Sequence, residues 1–363
     1  MKIGILTFHC AHNYGAVLQA YALQQYLISL GHNVEIINIV PSFLKGYSKR
    51  AWLKCVTIRH PYRILKNLHS ESKLYKLRKK RWQAFDSFIK NELYLSHEQN
   101  IIPDKYDAYI VGSDQVWNSK ITKGLFPPYF CSFPFPKGKR IYLSYAASME
   151  SIQLSNFEKE QYRHLLKNFD YIGVREQELI NVIAPLTEKK VHLTIDPTLL
   201  LDSDIWNKLA FRPLIKGKYV LLYRVWNDFN SRNIAKLWAN SNGAKVIELV
   251  SWLDSNTNNN LFQAASPLQF VTLFKYADYI ITDSFHGTSF SIIFKKDFYF
   301  VKVNNSQNRS ESLLSFLGIS DRIINKKDTP IFTQINYARV MDKLAILKCK
   351  SQQYLQNALC NKS

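Results

Sequence analysis

The chain contains few residues that interrupt secondary structure or that can form disulfide bonds. Its 363 residues include only 12 Gly, 12 Pro and 5 Cys, and the cysteines are scattered without a C-x-x-C pair. So little glycine and proline excludes a collagen-like or low-complexity protein. An odd number of scattered cysteines argues against a disulfide framework and predicts free thiols in a reducing compartment.

Long hydrophobic runs are also missing. No stretch of 18 apolar residues occurs, and residues 1–7 enter directly into a strand pattern without a signal-peptide core. We therefore expect a cytoplasmic protein without a membrane span. The sequence does have 47% hydrophobic and 14% aromatic residues. A chain of this length with so many apolar and aromatic residues is expected to form two well-packed domains.

Acidic residues are scarce, at 28 against 48 Lys and Arg. The imbalance is concentrated between Lys45 and Arg81, which contain 13 basic residues and one acid. Trp82, Phe85 and Phe88 continue the segment at helical spacing, and a basic amphipathic helix of this kind suits an anionic membrane surface or a lipid-linked phosphate. A solvated helix face is the alternative. No nucleic-acid-binding motif accompanies the charge, so we predict no nucleic-acid partner.

Apolar strand patterns alternate with helical patterns along the chain. We predict a first helix over residues 16–30, ended by Gly31, and two α/β domains whose parallel sheets face each other across a cleft. The predicted domains are residues 1–205 with a basic insertion at 45–81, residues 206–345, and a C-terminal helix or tail at 346–363. The predicted strands are residues 3–7, 34–39, 106–111, 140–145, 171–174, 219–223, 245–249, a strand at Tyr279, and 298–303, and residues 195–201 are expected to close the first half. Ligands of such sheets bind at the carboxyl ends of the strands.

The most informative stretch is the polar turn from Ser284 to Gly287, which lies between a predicted buried strand and a predicted buried helix. At a helix start, free backbone N–H groups favour an anion. His286 in that turn can transfer protons near neutral pH beside a phosphate or carboxylate. The alternative is a histidine with a purely structural role at the corner.

A second turn follows the first strand at residues 12–15 and lacks the G-x-G-x-x-G pattern of a dinucleotide site. His9, Cys10 and His12 lie close together there, but no fourth ligand accompanies them. We therefore predict no metal.

Further polar groups follow other predicted strands. Residues 112–118 combine hydrogen-bonding side chains with the indole of Trp117, a mixture that suits a sugar or, alternatively, a buried turn-capping network. Arg175 and Arg309 lie where an arginine can pair with a carboxylate or phosphate, although surface ion pairing is the usual role of a single arginine.

In their order, these motifs resemble those of the polysaccharide pyruvyl transferase family, over nearly the whole chain. The motifs are residues 13–16 (NYGA), 19–24 (QAYALQ), 111–118 (VGSDQVWN), 174–176 (VRE), 196–200 (DPTLL), 283–288 (DSFHGT), and Arg309 followed by 313–318 (LLSFLG).

The resemblance implies a GT-B-like fold and phosphoenolpyruvate as donor, with a pyruvate ketal formed on two hydroxyls of one sugar. It assigns His286 as the catalytic residue and implies no metal or redox cofactor. The implied donor-binding residues are Arg175, Ser284, Phe285 and Gly287, and Arg309 is added from its position. The expected acceptor-binding residues are Asn13, Tyr14, Gly15, Ser113, Asp114, Gln115 and Trp117. The acceptor is expected to be a lipid-linked oligosaccharide at the inner membrane face.

Two other functions remain open on the sequence. One is a glycosyltransferase that uses a nucleotide sugar on the same fold, and the other is a non-catalytic sugar-binding subunit. The compact anion site expected around His286 and Arg175 favours phosphoenolpyruvate.

Overall fold

The computed structural model describes residues 1–47, 61–149, 153–255, 258, 260–303, 308–325, 328 and 330–360. The first half contains the strands β1 (Lys2–Leu6), β2 (Asn33–Ile36), β3 (Ala108–Val111), β4 (Ile141–Ala147), β5 (Tyr171–Val174) and β6 (Val191–Leu193). They form one sheet in the order β2-β1-β3-β4-β5-β6, and every pair is parallel.

The second half repeats this arrangement. Its strands are β7 (Tyr219–Arg224), β8 (Lys245–Val250), β9 (Leu261–Phe262), β10 (Tyr279–Thr282), β11 (Phe298–Val301) and β12 (Ile323–Ile324). The order β12-β11-β10-β7-β8-β9 is again entirely parallel. The central strands are fully buried because helices cover both faces of the sheet.

Helices connect the strands. They are α1 (Tyr14–Ser29), α2 (Pro61–Glu92), α3 (Ser119–Thr122), α4 (Asn156–Leu166), α5 (Gln177–Ile183), α6 (Ser203–Leu209), α7 (Phe229–Asn242), α8 (Pro267–Tyr276), α9 (Phe285–Ile293), α10 (Asn308–Leu317) and α11 (Tyr337–Cys360). No helix among the described residues is long and apolar enough to span a membrane. Helix α1 ends before Gly31 as predicted, and Gly31 has a φ of 85° that suits glycine.

Two facing parallel sheets confirm the predicted α/β, GT-B-like architecture. Strand β6 at Val191–Leu193 was not predicted, and Pro197–Leu199, in the segment expected to close the first half, is a turn of 3₁₀ helix capped by the side chain of Asp196. Strands β9 and β12 were not predicted. Both are two-residue edge strands, too short for a period-2 pattern.

Aromatic packing joins the two halves. Tyr14 at the start of α1 stacks on Phe270 of α8 at 4.8 Å between ring centroids, and its hydroxyl donates to the carbonyl of Ala265 at 3.0 Å. Helix α11 returns from the second half to the first. There the Tyr354 hydroxyl donates to the carbonyl of Ser144 at 2.7 Å. The apolar core therefore continues from one half into the other.

The basic segment differs from its prediction as an aromatic, membrane-facing helix. Residues 48–60 of that segment lie outside the described residues. In α2, Phe85 and Phe88 are buried in the core, and Trp82 is half-buried. They cover α1 and α8, because an apolar stripe on a helix is most stable against other protein surfaces.

Arg81 is buried as well and is not part of the solvated face. Its guanidinium donates to the carbonyls of Ser251 (2.7 Å) and His12 (3.3 Å), and its central carbon lies 5.8 Å and 5.6 Å from the ring centres of Tyr14 and Phe85. This side chain connects the two halves. The solvated basic face of α2 is made by Lys73, Lys76, Lys79 and Lys80, all of which are exposed.

Candidate active site

A cavity of about 360 Å³ lies between the two halves at the carboxyl ends of their strands. Its walls include the first turns of α1, α9 and α10. The residues that line it are Phe8, Ala11, Asn13, Ala16, Phe43, Leu44, Asp114, Gln115, Ile121, Tyr223, Val225, Trp226, Asp283, Ser284, Phe285, His286, Arg309 and Ser310.

Helix N-termini contribute partial positive charge to this cavity, which the carboxyl groups of Asp114 and Asp283 also line. Asn13 caps α1 by accepting from the N–H of Ala16 at 3.3 Å, and Ser284 caps α9 by accepting from the N–H of Gly287 at 3.4 Å. Helix α10 contributes Arg309 from its first turn. The partial positive charge of three helix N-termini and one guanidinium favours a small, multiply charged anion.

His286 lies in the first turn of α9 and is 8% exposed. Its ring lies directly against the backbone of α1 at Gly15. A Cβ atom at position 15 would lie 2.0 Å from Nδ1 of His286. Glycine is therefore required at position 15 by the close approach of two helix starts from different halves of the molecule.

Asp196 lies on the other side of the imidazole. Its Oδ2 is 3.6 Å from Nε2 of His286 and accepts from Arg175 at 2.6 Å, while its Oδ1 accepts from the N–H of Thr198 at 3.0 Å. Burial raises the pKa of Asp196, but the imidazole, the guanidinium and the Thr198 N–H outweigh burial and hold it below its ordinary value. An ionised carboxylate in this place orients the ring and stabilises a positive charge on it.

Arg175 is buried behind this pair. Besides Asp196, its guanidinium faces Glu176 (Nε to Oε1, 3.4 Å) and Asp114 (Nη2 to Oδ1, 3.8 Å). Three carboxylates thus surround one cation, so its charge is largely neutralised within the protein. Arg175 lines a second cavity, of about 340 Å³, rather than the first.

Arg309 and Phe285 form the wall between the two cavities and line both. The guanidinium carbons of Arg175 and Arg309 lie 5.0 Å and 5.9 Å from the centre of the Phe285 ring. With its oxygen toward Arg309, the amide of Gln115 accepts from Nη2 at 2.8 Å. Arg309 is the guanidinium that reaches the first cavity.

The predicted site residues divide into two groups. Seven line the first cavity: Asn13, Asp114, Gln115, Ser284, Phe285, His286 and Arg309. Six lie behind its walls: Tyr14, Gly15, Ser113, Trp117, Arg175 and Gly287.

Trp117 differs most from its expected place. Its side chain is fully buried, its indole N–H donates to the carbonyl of Tyr129 at 2.9 Å, and its ring stacks on Phe130. In this structure the indole therefore presents no face to a sugar.

Several lining residues were not anticipated. Asp283 accepts from the N–H groups of Val225 (2.6 Å) and Trp226 (2.9 Å), and burial raises its pKa to about 7. Asp283 belongs to the histidine motif, so its position near the site was available from the sequence. Trp226 lies two residues after the end of β7, and its place after a parallel strand was the one local signal for it.

Potential metal ligands do not gather in the described part of the chain, where no three His, Cys, Asp or Glu side chains are close enough to hold an ion. His9 is buried, and its Nδ1 lies 3.2 Å from the carbonyl oxygen of Thr7.

These features define a two-domain α/β protein with a cavity between its halves that is lined by three helix starts, His286 and Arg309. The family model for polysaccharide pyruvyl transferase matches residues 13–305, which include His286, Arg175 and Asp196. The chain belongs to the polysaccharide pyruvyl transferase family. Arg309 lies just beyond the matched segment.

Similar solved structures are distant in sequence. The UDP-GlcNAc 2-epimerase from Neisseria meningitidis, bound to UDP-GlcNAc, is 13% identical, with 99% of this chain and 94% of that chain covered and a TM-score of 0.47. A heptosyltransferase from E. coli with ADP is 10% identical, with 96% and 100% covered and a TM-score of 0.39. No curated protein matches the chain. Likeness at this level carries no information about the reaction.

Proposed function

We propose that the protein transfers pyruvate from phosphoenolpyruvate to two hydroxyls of one sugar in a surface polysaccharide precursor and forms a pyruvate ketal. The observation that carries the proposal is His286, which is backed by the ionised Asp196 at the edge of a cavity where three helix N-termini meet. That combination suits proton transfer next to a small anion.

In this proposal the donor occupies the side of the cavity formed by α9 and α10. Its phosphate and carboxylate lie against the N–H groups of the two helix starts and the guanidinium of Arg309. Arg175 acts from behind by holding Asp196 in place at 2.6 Å. A direct contact of Arg175 with the donor stays a prediction, and such a contact requires the donor to extend toward the second cavity.

The proposed chemistry balances without an added reagent. His286 gives a proton to the methylene carbon of phosphoenolpyruvate, which becomes a methyl group, and the adjacent carbon becomes oxocarbenium-like. One sugar hydroxyl adds to that carbon, and the bond to the phosphate oxygen breaks with its electron pair on phosphate. The second hydroxyl then closes the ketal. Of the two hydroxyl protons, one restores His286 and the other leaves with phosphate.

The acceptor is proposed to lie on the other side of the cavity, next to Gln115, where the carboxylate of Asp114 offers hydrogen bonds to hydroxyls. We further propose that this acceptor is lipid-linked and that the protein binds it at an anionic membrane surface. The support is the exposed basic face of α2, formed by Lys73, Lys76, Lys79 and Lys80.

The reaction is tested by incubating the protein with phosphoenolpyruvate and a panel of methyl hexopyranosides and lipid-linked oligosaccharides. We expect phosphate release that depends on one acceptor, with a product that has gained the carboxyethylidene group. The variant His286→Ala should be folded and slower by about 10²–10⁴-fold. Near-normal ketal formation by that variant contradicts the assignment. Thermal stabilisation by nucleotide sugars and not by phosphoenolpyruvate would favour a glycosyltransferase instead.

Membrane binding is tested with liposomes that contain anionic lipids. Changing the four exposed lysines of α2 to glutamine should abolish a salt-sensitive binding, since each contributes on the order of 1 kcal/mol near an anionic surface. The matched control changes four exposed lysines elsewhere in the first half: Lys120, Lys123, Lys167 and Lys190. Equal binding by both variants, or no binding by the wild type, contradicts this part of the proposal. Arg81 is left intact because it connects the two halves.

A further inference from the structure

The rim of the first cavity carries an exposed aromatic side chain. Among the six tryptophans that the structure describes, Trp226 is the most exposed, at 46%, and it lines the cavity that contains His286. Other aromatic side chains are exposed elsewhere on the surface, but Trp226 is exposed where a ligand in this cavity can reach it.

The loop that carries Trp226 is held at both ends. Asp283 accepts from the backbone N–H groups of Val225 and Trp226 at 2.6 Å and 2.9 Å. Asp228, two residues after Trp226, accepts at its carbonyl from Arg224 at 2.9 Å, and its side chain caps α7 by accepting from the N–H of Ser231 at 3.0 Å. The indole is therefore exposed on a fixed backbone and not on a free loop.

Within the described residues, no aromatic ring stacks on Trp226 and its indole N–H has no hydrogen-bond partner. Across the cavity from this half, the first half contributes Ile121, which is 37% exposed, and the partly buried Phe43. The apolar side chains of Trp226, Ile121 and Phe43 thus line the same cavity as the polar groups of Asp114, His286 and Arg309.

We propose that Trp226 is a binding platform for the acceptor, on which the apolar face of a pyranose ring stacks while its hydroxyls turn toward the polar groups of the cavity. A pyranose has an apolar C–H face and polar edges, which matches this division of the cavity surface. The inference rests on the proposed pyruvyl transfer for the identity of the acceptor. It replaces Trp117 by Trp226 as the aromatic acceptor contact.

The test uses methyl hexopyranosides, because their aglycone has no aromatic ring that could itself stack on an indole. Saturation-transfer NMR identifies the hexoside that the wild type binds. The variant Trp226→Ala should weaken its binding, and raise its KM in the ketal assay, by about five- to tenfold. The KM for phosphoenolpyruvate should stay unchanged, and Trp226→Phe should restore most of the acceptor affinity. The control is Phe157→Ala, which removes an exposed aromatic side chain, at 72% exposure, that does not line the cavity.

The outcomes separate this inference from the proposed function. Three results overturn the platform. The first is an unchanged acceptor affinity in Trp226→Ala, and the second is a KM in that variant that is raised for phosphoenolpyruvate alone. The third is a wild type that binds no hexoside. Hexoside binding that depends on Trp226 but yields no ketal overturns the proposed reaction and leaves the platform standing.

Discussion

Replacing Gly15 by alanine tests the contact between α1 and α9 directly. The added methyl group would lie 2.0 Å from Nδ1 and 2.3 Å from Cε1 of His286. Real Cβ atoms do not approach other atoms so closely, so the imidazole or one of the two helix starts must move. A rotated ring also loses its position 3.6 Å from Asp196.

Two opposing effects set the change in stability. Alanine is favoured over glycine in a helix by about 0.5–1 kcal/mol. Overpacking at a buried contact costs about 1–3 kcal/mol. We expect the clash to win and Gly15→Ala to be destabilised by about 1–2 kcal/mol in urea unfolding. The effect on turnover should be larger, about 10²-fold or more, because general acid catalysis depends on the position of the proton donor.

The matched control is Ala20→Gly in the middle of α1. Ala20 is fully buried and does not line the cavity. This variant loses helix propensity and one methyl group, at about 1–2 kcal/mol in total, without touching His286. Both variants are assayed for phosphate release from phosphoenolpyruvate with the best acceptor. If Gly15→Ala turns over within a few-fold of Ala20→Gly, the contact between Gly15 and His286 does not govern catalysis.

Two further predictions concern stability. Burial raises the pKa of Asp283 in the folded protein to about 7, above its ordinary value of 3.8. The stability that depends on a protonated Asp283 is therefore fully present below pH 3.8. It is lost as the pH rises through 7. In urea titrations, the wild type should lose up to about 1.4 kcal/mol of unfolding free energy per pH unit over roughly pH 5–7, relative to the variant Asp283→Asn, which cannot ionise. Parallel pH profiles of the two proteins would refute this. Arg81→Met should cost about 2–3 kcal/mol, because the carbonyls of Ser251 and His12 lose their buried donor. The neighbouring exposed control Lys80→Met should cost almost nothing, and equal costs for the two variants would show that Arg81 does not connect the halves.

The sequence by itself determined the features that depend on neighbours along the chain. Buried central strands such as Tyr279–Thr282 show continuous apolar runs, and the turn that follows them places Ser284 and His286 at a helix start. Parallel strands bring such turns to one edge of a sheet, so the general location of the site follows too. The family resemblance rests on these same local motifs.

Only the tertiary structure decided which residues meet from distant segments. A basic amphipathic helix has the same pattern whether its apolar stripe faces a membrane or the protein core, and docking of α2 buried Phe85 and Arg81. Likewise, composition after a strand does not distinguish the buried Trp117 from the exposed Trp226. Periodicity along one segment reports how much of that segment is buried. The partners that bury it, such as Gly15 against His286, are set by how the two halves pack together.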